Sequence, residues 1–187
     1  MKRLFLLLMT AVLFLPAVCA SADGVTFSTA YFSLELPENW EIDTEDLVKE
    51  DDSEDLGFFG GETAEGFLTG GAYLVYYENL KDISLWNASE EELQDYADAL
   101  LEDFEKNNPE MIGTVMAGKI PLVIIKGDDD QGEFVYADTL TNGYAIEFEF
   151  YVTDEDGETQ LPITDRDIDQ IKAIMATFRP ATDAGKE

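Results

Sequence analysis

Hydrophobic residues recur at helical spacing in two segments of the chain. In the first, Ser89 and Glu92 form a capping box, and Pro109 follows the last turn. Its apolar stripe is Leu93, Tyr96, Ala97, Leu100, Leu101 and Phe104. In the second, Thr164 stands at the N-cap and Pro180 lies beyond the end. Its stripe is Ile168, Ile171, Ile174, Met175 and Phe178, so the pattern predicts two amphipathic helices.

Most of the remaining chain has the alternation and turn residues of β-strands. Strand 144–153 alternates most clearly, and the Asn142-Gly143 pair before it is a strong hairpin signal. The predicted strands are 25–28, 31–36, 56–60, 67–78, 114–117, 120–126, 133–140 and 144–153. Strands first, then a helix, a meander and a second helix predict an α+β fold with a mainly antiparallel sheet.

The first twenty residues predict a secretory signal peptide. Lys2 and Arg3 precede an apolar run over residues 4–18, and small residues precede a cleavage site after Ala20. Residues 21–180 then form one predicted domain, and residues 181–187 form a polar tail. We expect a periplasmic or secreted bacterial protein. A lipoprotein anchored through Cys19 is the alternative, which we disfavour because Val18 stands where lipidation usually requires a small residue.

Composition narrows the chemistry of the mature chain. The leader holds two of the 11 basic residues, none of the 41 acidic ones and the single cysteine, so the mature net charge is −32. With neither histidine nor cysteine, the mature chain has no Ser-His-Asp triad, no thiolate nucleophile and no zinc site of the usual kind. The negative field repels nucleic acid and anionic membranes and favours cations and basic protein surfaces. We therefore expect no nucleic-acid binding, no membrane insertion and a basic protein partner.

Two short motifs and the order of elements resemble one known family. Residues 31–40 read Tyr-Phe-Ser-Leu-Glu-Leu-Pro-Glu-Asn-Trp, and residues 177–180 read Thr-Phe-Arg-Pro. With the strands and helices between them, they resemble PsbP-like domains across residues 25–180. The resemblance implies a three-layer α/β/α sandwich around the sheet. It also implies a non-enzymatic role, since members include photosystem accessory subunits, a nuclear-transport GTPase partner and exported bacterial proteins. No functional residue carries over, because no binding motif of the family is matched.

Acidic loops offer a candidate metal site. In an antiparallel meander, the loops after strands 120–126 and 144–153 leave the same end of the sheet, about 10 Å apart. Their carboxylates could share a hard cation such as Ca²⁺, which accepts six to eight oxygens. The candidate ligands are Asp128, Asp129, Asp130, Asp154, Asp156 and Glu158. The competing interpretation is that these are solvated hairpin turns.

The sequence thus leaves three hypotheses for function. The first is an exported, non-catalytic binding or accessory domain that holds no cofactor and acts through protein–protein interaction. The second is a weak calcium-binding module that uses the two acidic loops. The third is a carboxylate-dependent hydrolase, which needs a pocket with two inward carboxylates.

The tyrosines of strand 67–78 have two interpretations. If helices cover both sheet faces, Tyr73 and Tyr77 belong to the core. If one face is open, they could stack with Trp86 on a ligand or partner.

Overall fold

A large antiparallel sheet organises the protein. The computed structural model describes residues 24–64, 66–157 and 159–181. The strands are β1 Val25–Ser28, β2 Phe32–Leu36, β3 Glu41–Asp43, β4 Ser53–Glu62, β5 Phe67–Tyr76, β6 Glu110–Ala117, β7 Ile120–Asp128, β8 Glu133–Thr141, β9 Tyr144–Thr153, β10 Gln160–Leu161 and β11 Arg179–Pro180. The helices are α1 Glu90–Asp103 and α2 Asp165–Met175, and short 3-10 turns lie at Glu78–Leu80, Leu85–Asn87 and Glu105–Asn107.

The strands form two sheets with only antiparallel pairs among the described residues. The large sheet has the order β3-β4-β5-β9-β8-β7-β6, and β10 pairs with the end of β9. The small sheet has the order β1-β2-β11. Strands β6 to β9 form an uninterrupted meander, and β9 lies beside β5, which joins the two halves of the large sheet.

The main core fills the space between one face of the large sheet and a second layer. Phe148 and Phe150 of β9 lie on this face and are fully buried. The small sheet packs Phe32 edge-on against Phe148, with 5.2 Å between ring centroids, and α2 contributes Ile171 and Met175. Because strand residues alternate between faces, the apolar residues of β9 face this layer while its glutamates face the opposite way.

Helix α1 covers only part of the opposite face. Ala97 and Leu100 pack against Val123 and Ile125 of β7 and against neighbouring residues of β8. The face formed by β9, β5 and β4 lies beside this helix and carries half-buried side chains such as Tyr73. The sheet is therefore closed on one side and partly open on the other.

The predicted α+β class is confirmed, and both predicted helices are present with capping boxes at Ser89 and Thr164. Helices lie on both sides of the large sheet, as the predicted three-layer arrangement requires, but the small sheet shares a layer with α2. Sequence patterns missed the short strands β3, β10 and β11.

Among the described residues, no helix combines the length and apolar character needed to cross a membrane. The predicted leader, with Cys19 and Ala20, and residues 182–187 lie outside the described residues.

Candidate functional site

The open part of the large sheet carries alternating tyrosines and carboxylates. We call this surface the tyrosine–carboxylate face and define it by Tyr73, Tyr77, Glu147, Glu149 and Tyr151. Strand register assembles it, because Tyr73 pairs with Glu147 and the next residue of this face on β5, Gly71, pairs with Glu149. Side chains directly opposite in adjacent strands have Cβ atoms about 5 Å apart, so these groups are close neighbours.

Tyr73 lies along the sheet instead of standing away from it. Gly71 makes this possible: a Cβ built there would be 2.5 Å from the Tyr73 hydroxyl and 2.9 Å from its ring. Phe58 of β4 meets the ring edge-on, with 6.2 Å between centroids. Burial, with nearby Glu149 and Asp55, raises the pKa of Tyr73 to about 12, so the hydroxyl keeps its proton at neutral pH. A flat ring beside carboxylates forms an aromatic platform.

Beside this platform lies a pair of carboxyl groups with unusual protonation. Asp138 of β8 and Glu147 of β9 are directly opposite in register, and Asp138 is only 1% exposed. Burial raises the pKa of Asp138 well above its usual range, and the nearby Glu147 raises it further. Burial also raises the pKa of Glu147. Because two like charges opposite each other destabilise a sheet, this pair binds protons more tightly than exposed acids do.

Three tyrosine hydroxyls surround the pair. Tyr96 of α1 donates to Asp138 Oδ2 at 2.5 Å, and Tyr77 donates to Glu147 Oε1 at 2.8 Å. Tyr136 also bonds Glu147. The other carboxyl oxygen of Asp138, Oδ1, is buried and has no hydrogen-bond partner in the described chain. Because Oδ2 accepts from Tyr96, Oδ1 is the oxygen that can carry the proton retained by the raised pKa of Asp138.

Toward the loops, the face opens into a groove of about 580 Å³. We call it the end groove. It is lined by Asp129, Gln131, Phe134, Glu149, Tyr151, Thr153, Gly157 and Gln160. Burial raises the pKa of Glu149, and the negative charges of Asp129 and Glu147 raise it further. The charges that act on Glu149 are thus negative, and a cation in the groove would relieve this repulsion.

The predicted metal ligands are divided between turns. Both acidic loops do reach the same end of the sheet, since Asp129 and Gly157 line one groove. Asp129 Oδ1, however, accepts the backbone N–H groups of Gln131 and Gly132 at 2.7 and 3.0 Å. Asp128 Oδ1 accepts the Asn108 side-chain amide at 2.9 Å. These hydrogen bonds fix the conformation of the 128–132 loop and hold the loop against Asn108, which follows the 3-10 turn after α1.

The remaining predicted ligands are not brought together either. Asp154 Oδ1 accepts the N–H of Thr159 at 3.2 Å, whereas Asp130 and Asp156 are exposed. Glu158 lies outside the described residues. No three acidic side chains of the described ranges come together in an arrangement suited to a metal ion. Calcium binding by these loops stays a prediction.

The buried member of the carboxyl cluster, Asp138, was not predicted from the sequence. Alternation in strand 144–153 placed Glu147 and Glu149 together on one face, but their significance depends on Asp138 across the strand pair. The available signal was a charged residue at the middle of the apolar stretch from Phe134 to Leu140. Buried aspartate is rare unless paired, so such a residue indicates a special environment.

The two interpretations of the tyrosines are also resolved. Tyr77 is 37% exposed and Tyr73 is half-buried, so neither is a core residue. Trp86 packs against the main core instead of joining them. Trp40 is 3% exposed and belongs to the main core.

The chain is similar in structure to solved proteins, whereas comparisons of sequence find no match. No family model and no curated protein matches the chain. A crystal structure from Bacteroides thetaiotaomicron is similar over 86% of this chain, with 14% identity and a TM-score of 0.43, and the match spans 50% of that structure's chain. The solution structure of cyanobacterial PsbP from Synechocystis is similar over 89% of this chain and 99% of that chain, with 12% identity and a TM-score of 0.45. At these values, membership of the PsbP-like family stays a prediction.

Proposed function

We propose that this protein is a binding protein whose tyrosine–carboxylate face recognises a basic segment of a partner protein. The observation that supports this most strongly is Glu149, a half-buried carboxylate held beside other negative charges on the open half of the sheet. A lysine or arginine side chain placed there would favour the ionised carboxylate and remove the repulsion from Asp129 and Glu147.

Aromatic groups add to this preference for a cation. Tyr73 lies flat over Gly71 beside Glu149, and Tyr151 lines the adjoining end groove. An ammonium or guanidinium group over an aromatic ring gains about 0.5–2 kcal/mol, with the larger values where water is excluded. Tyrosine also combines a large contact area with few rotatable bonds, which suits a binding surface.

The extent of the surface favours a chain segment over a small molecule. The defining residues extend from Tyr77, whose backbone N–H donates to the Gly143 carbonyl, to Tyr151 on β9. In strand geometry the stretch from Gly143 to Tyr151 spans roughly 26 Å, which matches an extended peptide of about eight residues. The mature charge of −32 supplies the long-range attraction that brings a basic partner to this surface.

A titration with a defined basic peptide tests this proposal. The probe is an acetylated octapeptide of alternating lysine and glycine, measured by calorimetry in about 150 mM NaCl. The same peptide with serine at the lysine positions is the neutral control. We expect saturable binding of the lysine peptide, and Glu149→Gln weakens it about five-fold or more, because one half-buried carboxylate is lost.

Glu155→Gln is the matched variant, because it removes the same charge from an exposed loop position near the end groove. We expect it to change the affinity less than about two-fold, as surface ion pairs contribute little. Equal losses in both variants would show diffuse attraction to an acidic surface and would contradict the proposed site. Absence of saturable binding to the wild type would also contradict it.

A further inference from the structure

A second aromatic cavity lies outside the tyrosine–carboxylate face. Its volume is about 250 Å³, and Tyr31, Tyr76 and Tyr144 form its aromatic walls. Tyr76 and Tyr144 pair across β5 and β9, and their ring centroids are 4.8 Å apart at an angle of 42°. Tyr144 is 48% exposed, so a ligand can reach the cavity from solvent. We call these three residues the tyrosine cage.

An acidic turn before and at the start of β4 forms the facing wall. The backbone holds it in place, since the Tyr76 N–H donates to the Asp52 carbonyl at 2.8 Å and Glu50 N–H to the Ser53 carbonyl at 2.7 Å. Four residues of this wall are acidic: Glu50, Asp51, Asp52 and Glu54. The turn is fixed to β5, the strand that carries Tyr76, so its backbone stays beside that part of the tyrosine cage.

The protein already places one cation at the rim of this cavity. The Lys49 ammonium bonds Glu54, and the Tyr31 hydroxyl donates to the same carboxylate at 3.4 Å. Among the described residues that line the cavity, Lys49 is the single basic one, against four acidic ones. Three negative charges therefore remain uncompensated along the lining, next to three aromatic rings.

We infer that the tyrosine cage binds a small organic cation that carries a quaternary ammonium group. Aromatic rings attract such a cation through their negative faces, and its methyl groups make it less strongly hydrated than a metal ion or an ammonium. The cavity admits a ligand of a few heavy atoms, much smaller than a peptide. No residue that defines the tyrosine–carboxylate face lines it, so this site goes beyond the proposed function.

Calorimetry with choline chloride tests the inference. The comparison ligand is 3,3-dimethylbutan-1-ol, which has the same shape but no charge. We expect one saturable choline site in the millimolar range and no measurable binding of the alcohol. Tyr144→Leu keeps an apolar side chain but removes a ring, and we expect it to weaken choline binding about five-fold or more. Phe67→Leu, at the end of β5 away from Tyr76, removes a half-buried ring outside both surfaces, so it serves as the matched control and leaves choline binding unchanged.

A second variant distinguishes the loss of a cation-binding site from the loss of the folded structure. Lys49→Gln removes the competing ammonium while an exposed, long polar side chain remains, so we expect choline to bind more tightly. Thermal melting of each variant verifies that it is folded. Equal binding of choline and the alcohol, an unchanged affinity in Tyr144→Leu, or weaker binding in Lys49→Gln would overturn the inference. If the wild type binds the lysine peptide but does not bind choline, the tyrosine cage is rejected as a site and the proposed function is not.

Discussion

At the scale of single residues, Asp138 connects the fold to pH. Its carboxyl group lies between β8, α1 and β9, where the facing titratable groups are Tyr136, Tyr96 and Glu147. Burial raises its pKa well above the usual range, and Glu147 acts in the same direction. The native protein therefore keeps a proton that the unfolded chain releases, and the free energy of unfolding falls as pH rises from the ordinary aspartate pKa through the raised one.

Asp138→Asn removes this titration while keeping an oxygen that can accept from Tyr96. We expect a flatter dependence of unfolding free energy on pH across that window. Near neutral pH, the variant is expected to be more stable than the wild type by about 1–3 kcal/mol, because no buried carboxylate has to be ionised or kept protonated. Urea unfolding followed by tyrosine and tryptophan fluorescence at a series of pH values measures this difference.

Asp95→Asn provides the matched control on the exposed side of α1. It changes one carboxylate to an amide without altering the buried cluster, and we expect a pH profile close to that of the wild type. The explanation is wrong if Asp138→Asn keeps the slope of the wild type or is less stable at every pH.

At the scale of secondary structure, α2 closes the main core. Ile171, Ile174 and Met175 are buried in it, and Phe178 follows and stacks on Phe32. The helix begins at a reciprocal cap in which Asp167 accepts the Thr164 hydroxyl at 2.7 Å and its backbone N–H at 3.0 Å. Asp167 is buried, so these donors also satisfy a carboxylate that water does not reach freely.

Thr164→Ala is therefore expected to destabilise the protein by about 1–2 kcal/mol, since it removes one donor to Asp167 and the acceptor of the Asp167 N–H. Chemical unfolding at neutral pH measures the loss. Asp169→Ala changes an exposed position in the same helix and is expected to alter stability by less than about 0.5 kcal/mol. A similar loss in both variants would show that the cap has no special role.

The type of a secondary-structure element could be predicted where its hydrophobic pattern was long. Which strands pair with one another could not be predicted. The hairpin of β1 and β2 had a poor turn sequence, yet it forms because Thr29 Oγ1 accepts the N–H groups of Tyr31 and Phe32. The strand β11 has two residues and depends on contact with β2 far away in sequence, which no local pattern reveals. For the same reason, the register that brings Asp138 beside Glu147 could not be derived from either strand alone.

At the scale of the whole molecule, the two sides of the large sheet differ in how much of each is covered. One side is sealed by α2 and the small sheet, which provides a rigid support. The other side is covered by α1 only over part of the meander, and its free part presents rings and carboxylates. The strong negative charge attracts cations to the entire surface, whereas this face is where shape, aromatic contact and repulsion among acids combine.

Chemical-shift mapping tests the central claim most directly. The isotope-labelled protein is titrated with the lysine–glycine octapeptide at about 150 mM NaCl, and backbone amide shifts are followed by NMR. We predict that the largest shifts lie at Gly71, Tyr73, Glu149 and Tyr151, with saturation at one peptide per protein. Small shifts spread over all acidic loops, or shifts confined to the turn that faces the tyrosine cage, would contradict the account.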